Sequence, residues 1–239
     1  MSTRHLSFVE TGRSRPSPEL LLTIAGHLAV PLRERNTLLL AAGYAPRFSQ
    51  APFADPSMDH VRAQVQRMLN AHPYPGVVVD RLWNVVSANE PALLLTVGLP
   101  ADLLGPPMNI YRLSLHPDGL ASRTTNFIDW AGHLLDQLRR AVALTGDPTL
   151  EALLAEVSAY PNVARLKPPN SGGFDDPPLL MPFRMATPVG EISMFTTLTT
   201  FGTPLDVTLD ELIVELFFPA DDDSERRLRD LMAAAVVAM

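Results

Sequence analysis

Apolar residues recur at helical spacing in the N-terminal part of the chain and predict three short helices. The first is predicted over residues 2–12, where a glycine ends the pattern. The second begins after Ser17, whose hydroxyl can cap the free N–H groups of the first turn. The third covers residues 31–42, with Leu38 and Leu39 facing inward. This part of the chain is therefore predicted to be entirely helical.

The pattern changes after a segment without periodicity. Residues 45–57 contain three prolines and are interpreted as a linker, after which Ser57 is predicted to cap a helix. Residues 76–89 are rich in β-branched side chains and predict two short strands around a turn. The longest helical pattern covers residues 126–144, and Gly146 ends it.

A period of two dominates the last third of the chain. A loop over residues 161–178, with five prolines and two glycines, precedes strands over 179–186, 191–199 and 211–218, and a helix follows over 224–239. Two strands, several helices and three further strands predict an α+β fold rather than a parallel βαβ fold. The expected body has a five-stranded antiparallel sheet flanked by helices, which is also the PAS architecture.

The charge is unevenly distributed along the 239 residues. The net charge is −7, yet residues 1–47 carry six arginines and three glutamates, a net of +3 that leaves −10 for the remainder. A basic N-terminal module on an acidic body suits phosphate contact at one end only. The competing interpretation is chance asymmetry in a short window.

Several function classes lack their sequence signatures. The chain has no cysteine, no apolar signal-peptide core and no run long enough to span a membrane, so a cytoplasmic location is the default expectation. The histidines lack metal-ligand spacing, and no phosphate loop, dinucleotide fingerprint or Gly-x-Ser-x-Gly motif occurs. We therefore expect no enzymatic activity, no cofactor and no metal.

The segments TRHLSFVETGRSRPS and LAVPLRERNTLLLAAGYAP resemble the XRE/Cro-type helix-turn-helix regulators. That domain has five helices and its third is the recognition helix, so this chain is expected to begin at the third. Either the true start lies upstream, or the chain keeps only sensing or dimerisation. The resemblance implies base contacts in the major groove from the first helix and phosphate contacts from the turn after it. The predicted DNA-binding residues are Thr3, Arg4, His5, Ser7, Arg13, Ser14, Arg15 and Ser17.

A second resemblance covers most of the remaining chain, from about residue 72 to 229. The segments HPYPGVVVDRLWNVVSAN, NIYRLSLHP, NFIDWAGHLLDQLRRAVALTGDPTLEALLAEVS and LTTFGTPLDVTLDELIVELFFPAD resemble the MmyB-like ligand-binding domain. The resemblance implies a PAS-like fold with a buried cavity for a fatty-acid-like ligand, and a role as a ligand-responsive transcription regulator.

Large apolar side chains and a few polar ones are candidates for the lining of this cavity. The predicted ligand-binding residues are Trp83, Asn89, Asn109, Arg112, Phe127, Trp130, Leu134, Met181, Phe195 and Phe217. Ordinary roles compete with each assignment: the apolar residues can simply fill the core, Asn89 can cap a helix, and Arg112 can form a surface ion pair.

The predicted domains are a truncated helix-turn-helix over residues 1–46, a linker over 47–57 and a ligand-binding domain over 58–239. The predicted function is a DNA-binding transcriptional regulator that senses a small apolar, fatty-acid-like ligand. A homodimer is expected because one module reads few bases, and no membrane partner is expected. The alternative is a ligand-binding or dimerisation module that has lost DNA binding through truncation.

Overall fold

The computed structural model describes residues 3–166 and 180–238, and side chains within 7–166 and 180–234. The helices are α1 (Thr3–Glu10), α2 (Pro18–His27), α3 (Leu32–Ala41), α4 (Asp59–Ala71), α5 (Glu90–Leu94), α6 (Ala101–Leu104), α7 (Ile110–Leu115), α8 (Phe127–Thr145), α9 (Pro148–Ser158), α10 (Val207–Asp210) and α11 (Asp222–Ala238). The strands are β1 (Gly76–Val79), β2 (Val85–Ala88), β3 (Phe183–Thr187), β4 (Gly190–Thr200) and β5 (Ile213–Pro219). The predicted α+β class is confirmed.

The chain divides into two compact units. The helical unit consists of Met1–Asp59 together with Thr200–Leu212, and the sheet unit consists of His60–Thr199 together with Ile213–Met239. The predicted domain boundaries come from resemblance to known families. A division into compact units does not test them, so they stay predictions.

Local signals set the ends of the helices in the helical unit. The hydroxyl of Ser17 accepts from the backbone N–H of Leu20 at 3.2 Å and caps α2, as the sequence predicts. Gly12 and Gly43 follow α1 and α3 with φ of +69° and +76°, a conformation that glycine adopts without steric cost. Leu39 is buried, whereas Leu38 is 41% exposed, so the prediction that both face inward is wrong for Leu38.

The predicted cap at Ser57 is also wrong. Asp55 takes this role, because its carboxylate accepts from the backbone N–H of Ser57 at 2.9 Å and starts a 3₁₀ turn over Pro56–Met58. Helix α4 follows directly. Aspartate and serine are about equally good caps, and the proline after Asp55 favours the earlier start.

The connection between β4 and β5 belongs to the helical unit. The backbone N–H of Leu32 donates to the Asp210 carboxylate at 2.8 Å, so an acid of this connection caps the start of α3. Arg33 forms a forked ion pair with Glu211, one arm of which measures 2.8 Å between Nη2 and Oε2. Asp206 is buried and accepts from the Ser49 hydroxyl at 2.7 Å. Polar contacts thus hold residues 200–212 against α3 and the segment after it.

The described strands form one sheet in the order β2-β1-β5-β4-β3. β1 pairs antiparallel with β2 and β5, with Val77 opposite Glu215 and Val78 opposite Val214. β3 and β4 form a hairpin in which Phe183 lies opposite Met194. Alternation along the strands places Val77 and Glu215 on one face of the sheet and Val78 and Val214 on the other.

The core of the sheet unit lies on the face that carries Val77, between the sheet and the long helix α8. Leu138 of α8 and Leu115 of α7 are fully buried there, and Leu150 and Val157 of α9 join the same cluster. Gly146, with φ of +61°, ends α8 as predicted. Most of the predicted loop over 161–178 lies outside the described residues. No helix within the described ranges is long and apolar enough to cross a membrane.

Candidate ligand-binding cavity

A cavity lies inside the sheet unit, between the core face of the sheet and helices α5, α7 and α8. Its volume is about 60 Å³, and one water occupies about 10–15 Å³ by this measure. The lining is almost entirely apolar, with the polar side chains of Thr96, Ser114 and Glu215 as exceptions. Leu93 of α5 lines the cavity and is itself 50% exposed.

Four of the predicted ligand-binding residues meet at this cavity: Trp83, Trp130, Leu134 and Phe217. Trp83 lies in the turn between β1 and β2 with φ of +65°, which costs a large side chain of order 1–3 kcal/mol. The Asp80 carboxylate holds this turn, because it accepts from the backbone N–H groups of Leu82 at 2.8 Å and Asn84 at 2.9 Å. The strained turn directs the Trp83 ring against Tyr111, 5.3 Å away between centroids.

Trp130 lies on α8 between two other rings. It stacks on His133 at 5.6 Å and packs against Phe183 of β3 at 5.1 Å. Phe183 in turn meets Phe217 edge-on at 6.2 Å. Burial, together with the positive charge of Arg140, lowers the pKa of His133 and favours its neutral form. The rings form a rigid apolar wall along one side of the cavity.

Three predicted apolar residues lie elsewhere. Phe195 points to the opposite face of β4 from Ile192 and Met194, where it stacks on Phe218 at 5.4 Å. Phe127 and Met181 pack against the core without lining the cavity. The sequence shows that these residues are large and apolar, but strand parity and helix phase decide which of them reach the cavity.

The predicted polar residues also lie outside the lining. Asn89 caps α5 by accepting from the backbone N–H of Ala92 at 3.1 Å, and its amide donates to the backbone carbonyl of Tyr74 at 2.7 Å. Asn109 caps α7 and donates to the Leu82 carbonyl at 2.9 Å. These amides join backbone segments and serve the architecture of the fold.

Arg112 forms a forked ion pair with Glu156 at the surface, with both arms at 2.8 Å. The guanidinium lowers the pKa of Glu156, and the carboxylate raises that of Arg112. Both side chains are 40% exposed, so the pair contributes little to stability. The structure thus shows Asn89 as a helix cap and Arg112 in a surface ion pair, the ordinary roles that the sequence also allows.

Glu215 of β5 is the lining residue that the sequence predictions omit. It is 6% exposed, and its Oε2 has no hydrogen-bond partner within the described residues. Burial raises the pKa of Glu215 to about 7, and a hydrogen bond with the Thr196 side chain opposes this shift. The sequence contains a signal for this position, because side chains alternate along a strand and Glu215 therefore shares the core-facing side of β5 with Ile213 and Phe217.

Two further polar atoms, both on residues of the same core cluster, lack partners within the described part of the chain: the Tyr111 hydroxyl and Nε1 of Trp130. Tyr111 is fully buried, and burial followed by the charge of Glu215 raises the pKa of its hydroxyl. Buried polar groups in proteins are generally hydrogen-bonded, so unpartnered atoms beside an apolar cavity need an explanation.

The predicted DNA-binding residues lie in the helical unit. Thr3, Arg4 and His5 are in α1, but their side chains lie outside the described ones. Ser7 and Arg13 are exposed, and Ser14 is partly buried. These positions are compatible with a nucleic-acid contact and do not test it.

Arg15 and Ser17 have partners within the helical unit. The Arg15 guanidinium donates to the carbonyls of Ala42 at 2.5 Å and Gly43 at 3.0 Å, and it stacks over the Tyr44 ring at 4.4 Å. The Ser17 hydroxyl caps α2. Arg15 therefore satisfies free carbonyls at the end of α3, a role that competes with phosphate binding.

Comparison with known families matches residues 61–231 to the MmyB-like transcription regulator ligand binding domain. The match covers the cavity and all its lining residues. No curated protein matches the chain.

Proposed function

The chain belongs to the family of the MmyB-like transcription regulator ligand binding domain, and on this premise we propose that it is a DNA-binding regulator that senses a small apolar, fatty-acid-like ligand. The observation that carries the proposal is the apolar cavity within the matched domain. Its wall of aromatic rings suits a hydrocarbon chain, since burial of each methylene contributes about 0.8 kcal/mol.

The size of the cavity limits how the ligand enters. About 60 Å³ accommodates a group of a few heavy atoms, so a long hydrocarbon chain must displace lining side chains. Leu93 of the five-residue helix α5 lines the cavity and is 50% exposed, so its side chain can shift at little cost in buried surface. Ligand binding and a conformational change are therefore linked, as regulation requires.

DNA binding is proposed for the N-terminal part of the chain. The charge of +3 over residues 1–47 and the exposed Arg13 support it. We also propose a homodimer, because one short helix reads too few bases for a specific site.

A gel-shift experiment with the whole chain and the DNA upstream of its gene tests this function. Affinity should fall steeply with salt, and Arg13→Ala should weaken binding and reduce the salt slope by about one. Arg139→Ala removes the same charge from α8 in the sheet unit and should change neither. Size-exclusion chromatography with light scattering measures the dimer.

The alternative function is a ligand-binding or dimerisation module without DNA binding. The contacts of Arg15 and Ser17 within the helical unit favour it, because they use two of the predicted phosphate-binding side chains. Absence of any gel shift at 50 mM salt, together with ligand binding by the same preparation, would establish this alternative.

A further inference from the structure

The polar part of the cavity lining contains a single ionisable group. Among the described residues that line it, Glu215 is the only acid, and no lysine, arginine or histidine is present. The other polar contributions are hydroxyls and the indole N–H of Trp130. The described lining therefore contains one carboxyl group and no positively charged side chain to neutralise it.

Two lining groups have unused hydrogen-bonding capacity. Oε2 of Glu215 and Nε1 of Trp130 are buried and unpartnered within the described residues. A buried polar group without a partner is energetically unfavourable, and a ligand can remove this penalty by supplying the missing partner. The carboxyl oxygen is an acceptor and the indole N–H is a donor, so the complementary ligand group both donates and accepts.

A negatively charged head group is disfavoured at this position. A carboxylate next to Glu215 places two acids in an apolar enclosure without a compensating positive side chain, and one of them must then remain protonated. The chain of a fatty acid suits the cavity, but its ionised head does not.

A positively charged head group is disfavoured for a different reason. An ammonium has three N–H donors, and burying it requires acceptors for each of them as well as the desolvation of two charges. The lining provides one unpartnered carboxyl oxygen. An uncharged head group meets the available atoms without this penalty.

We propose that the ligand is an uncharged amphiphile, with a hydroxyl or amide head group that donates to Glu215 and a hydrocarbon chain against the aromatic wall. The proposal rests on the proposed ligand-binding function and narrows the ligand to one chemical class. Glu215 is the residue that determines specificity, because in its ionised form it accepts from a neutral donor and repels an anion.

The chain contains a built-in probe for the test. It has two tryptophans, Trp83 and Trp130, and both line the cavity. Tryptophan emission of the whole chain therefore reports on occupancy without a label. We would titrate it at pH 8 with 1-octanol, octanamide, octanoate and octane, which share a chain length and differ in the head group.

The alcohol and the amide should bind the wild-type chain at least tenfold more tightly than octanoate and octane. Glu215→Gln keeps the size and an acceptor oxygen but removes the charge, so octanoate binding should strengthen about tenfold while octanol binding changes little. Glu215→Leu should reduce octanol affinity to that of octane. Glu151→Gln, an exposed substitution on α9 outside the lining, should leave all four affinities unchanged.

The outcomes distinguish a failure of the neutral-ligand proposal from a failure of the sensing function on which it depends. Octanoate binding to the wild-type chain as tightly as octanol would overturn the neutral-ligand proposal and leave the sensing function intact. If Glu215→Gln left the octanol affinity and the octanoate affinity at their wild-type values, Glu215 would not be the residue that determines specificity. If none of the four compounds changes the emission or the melting temperature, both the proposal and the proposed sensing function are wrong.

Discussion

Each of the two units contains a buried carboxylate, and the two carboxylates are used in opposite ways. In the helical unit, the Asp206 carboxylate accepts from Ser49 and from the backbone N–H of Thr208, at 2.7 and 2.8 Å. In the sheet unit, Glu215 has one carboxyl oxygen without a partner, beside a cavity. A satisfied carboxylate fixes one chain segment against another, whereas an unsatisfied one leaves binding capacity for another molecule.

The largest expected effect tests whether the sheet unit owes its stability to its apolar core. Leu138→Ala removes a fully buried side chain of α8 and should destabilise by about 2–5 kcal/mol. Leu144→Ala on the same helix removes a side chain that is 86% exposed and should cost less than about 0.5 kcal/mol. Urea unfolding followed by circular dichroism gives both values, and similar losses would contradict the described core.

The next effect concerns the pH dependence of stability that Glu215 produces. Its pKa is raised from 4.5 to about 7 in the folded chain, so the folded state holds a proton that the unfolded state releases. Its contribution is complete below pH 4.5 and is lost as the pH rises through about 7, a loss of about 3 kcal/mol. Tyr111 faces the same site and stays neutral in this window, because its pKa is raised further.

Glu215→Gln should therefore gain about 3 kcal/mol relative to the wild-type chain between pH 4.5 and pH 8, measured by urea unfolding at each pH. The difference between the two chains cancels the titration of the other groups. A wild-type-to-variant difference that is the same at both pH values would show that Glu215 ionises normally.

A smaller effect is expected from the satisfied carboxylate of the helical unit. Asp206→Ala should cost about 1–3 kcal/mol, because it leaves the N–H of Thr208 and the hydroxyl of Ser49 without their acceptor. Asp206→Asn retains one acceptor oxygen and should cost less. Hydrogen exchange should accelerate in residues 200–212 and change little in β1. Uniform acceleration would mean that the two units unfold together.

The smallest effect is expected at the surface of the sheet unit. Arg112→Ala breaks an ion pair with Glu156 that is 40% exposed on both sides, so stability should fall by at most about 1 kcal/mol. Octanol affinity, followed by tryptophan emission, should not change, since Arg112 does not line the cavity. A large loss of affinity would show that Arg112 contributes to ligand binding.

Local signals account for most of the fold that the sequence predicts. The β-branched run before Asn89 and the alternation in the last third gave the five strands, and Gly146 marked the end of α8. The cap at Ser57 was mispredicted because Asp55 and Ser57 carry equivalent signals two positions apart. Such competition between neighbouring caps shifts an element by a few residues and does not change the fold class.

The cavity was predictable only in part. Trp83, Trp130, Leu134 and Phe217 line it, because large apolar residues in these elements face the core, and their contact with a ligand stays a prediction. The residue most informative about the ligand, Glu215, is not among the predicted ligand-binding residues, since a single acid in a strand is usually solvated. Recognising it requires following the alternation along β5 from Phe217, a predicted lining residue, back to Glu215 on the same face.

Residues 200–212 also affect when the helical unit can be completed during synthesis. Leu32 and its partner Asp210 are separated by 178 positions, so α3 leaves the ribosome long before the acid that caps it exists. At cellular translation rates the interval is roughly ten to forty seconds. The part of the chain made first is therefore completed late, and a nascent chain that stops before residue 210 has N-terminal helices whose capping and ion-pairing partners are missing.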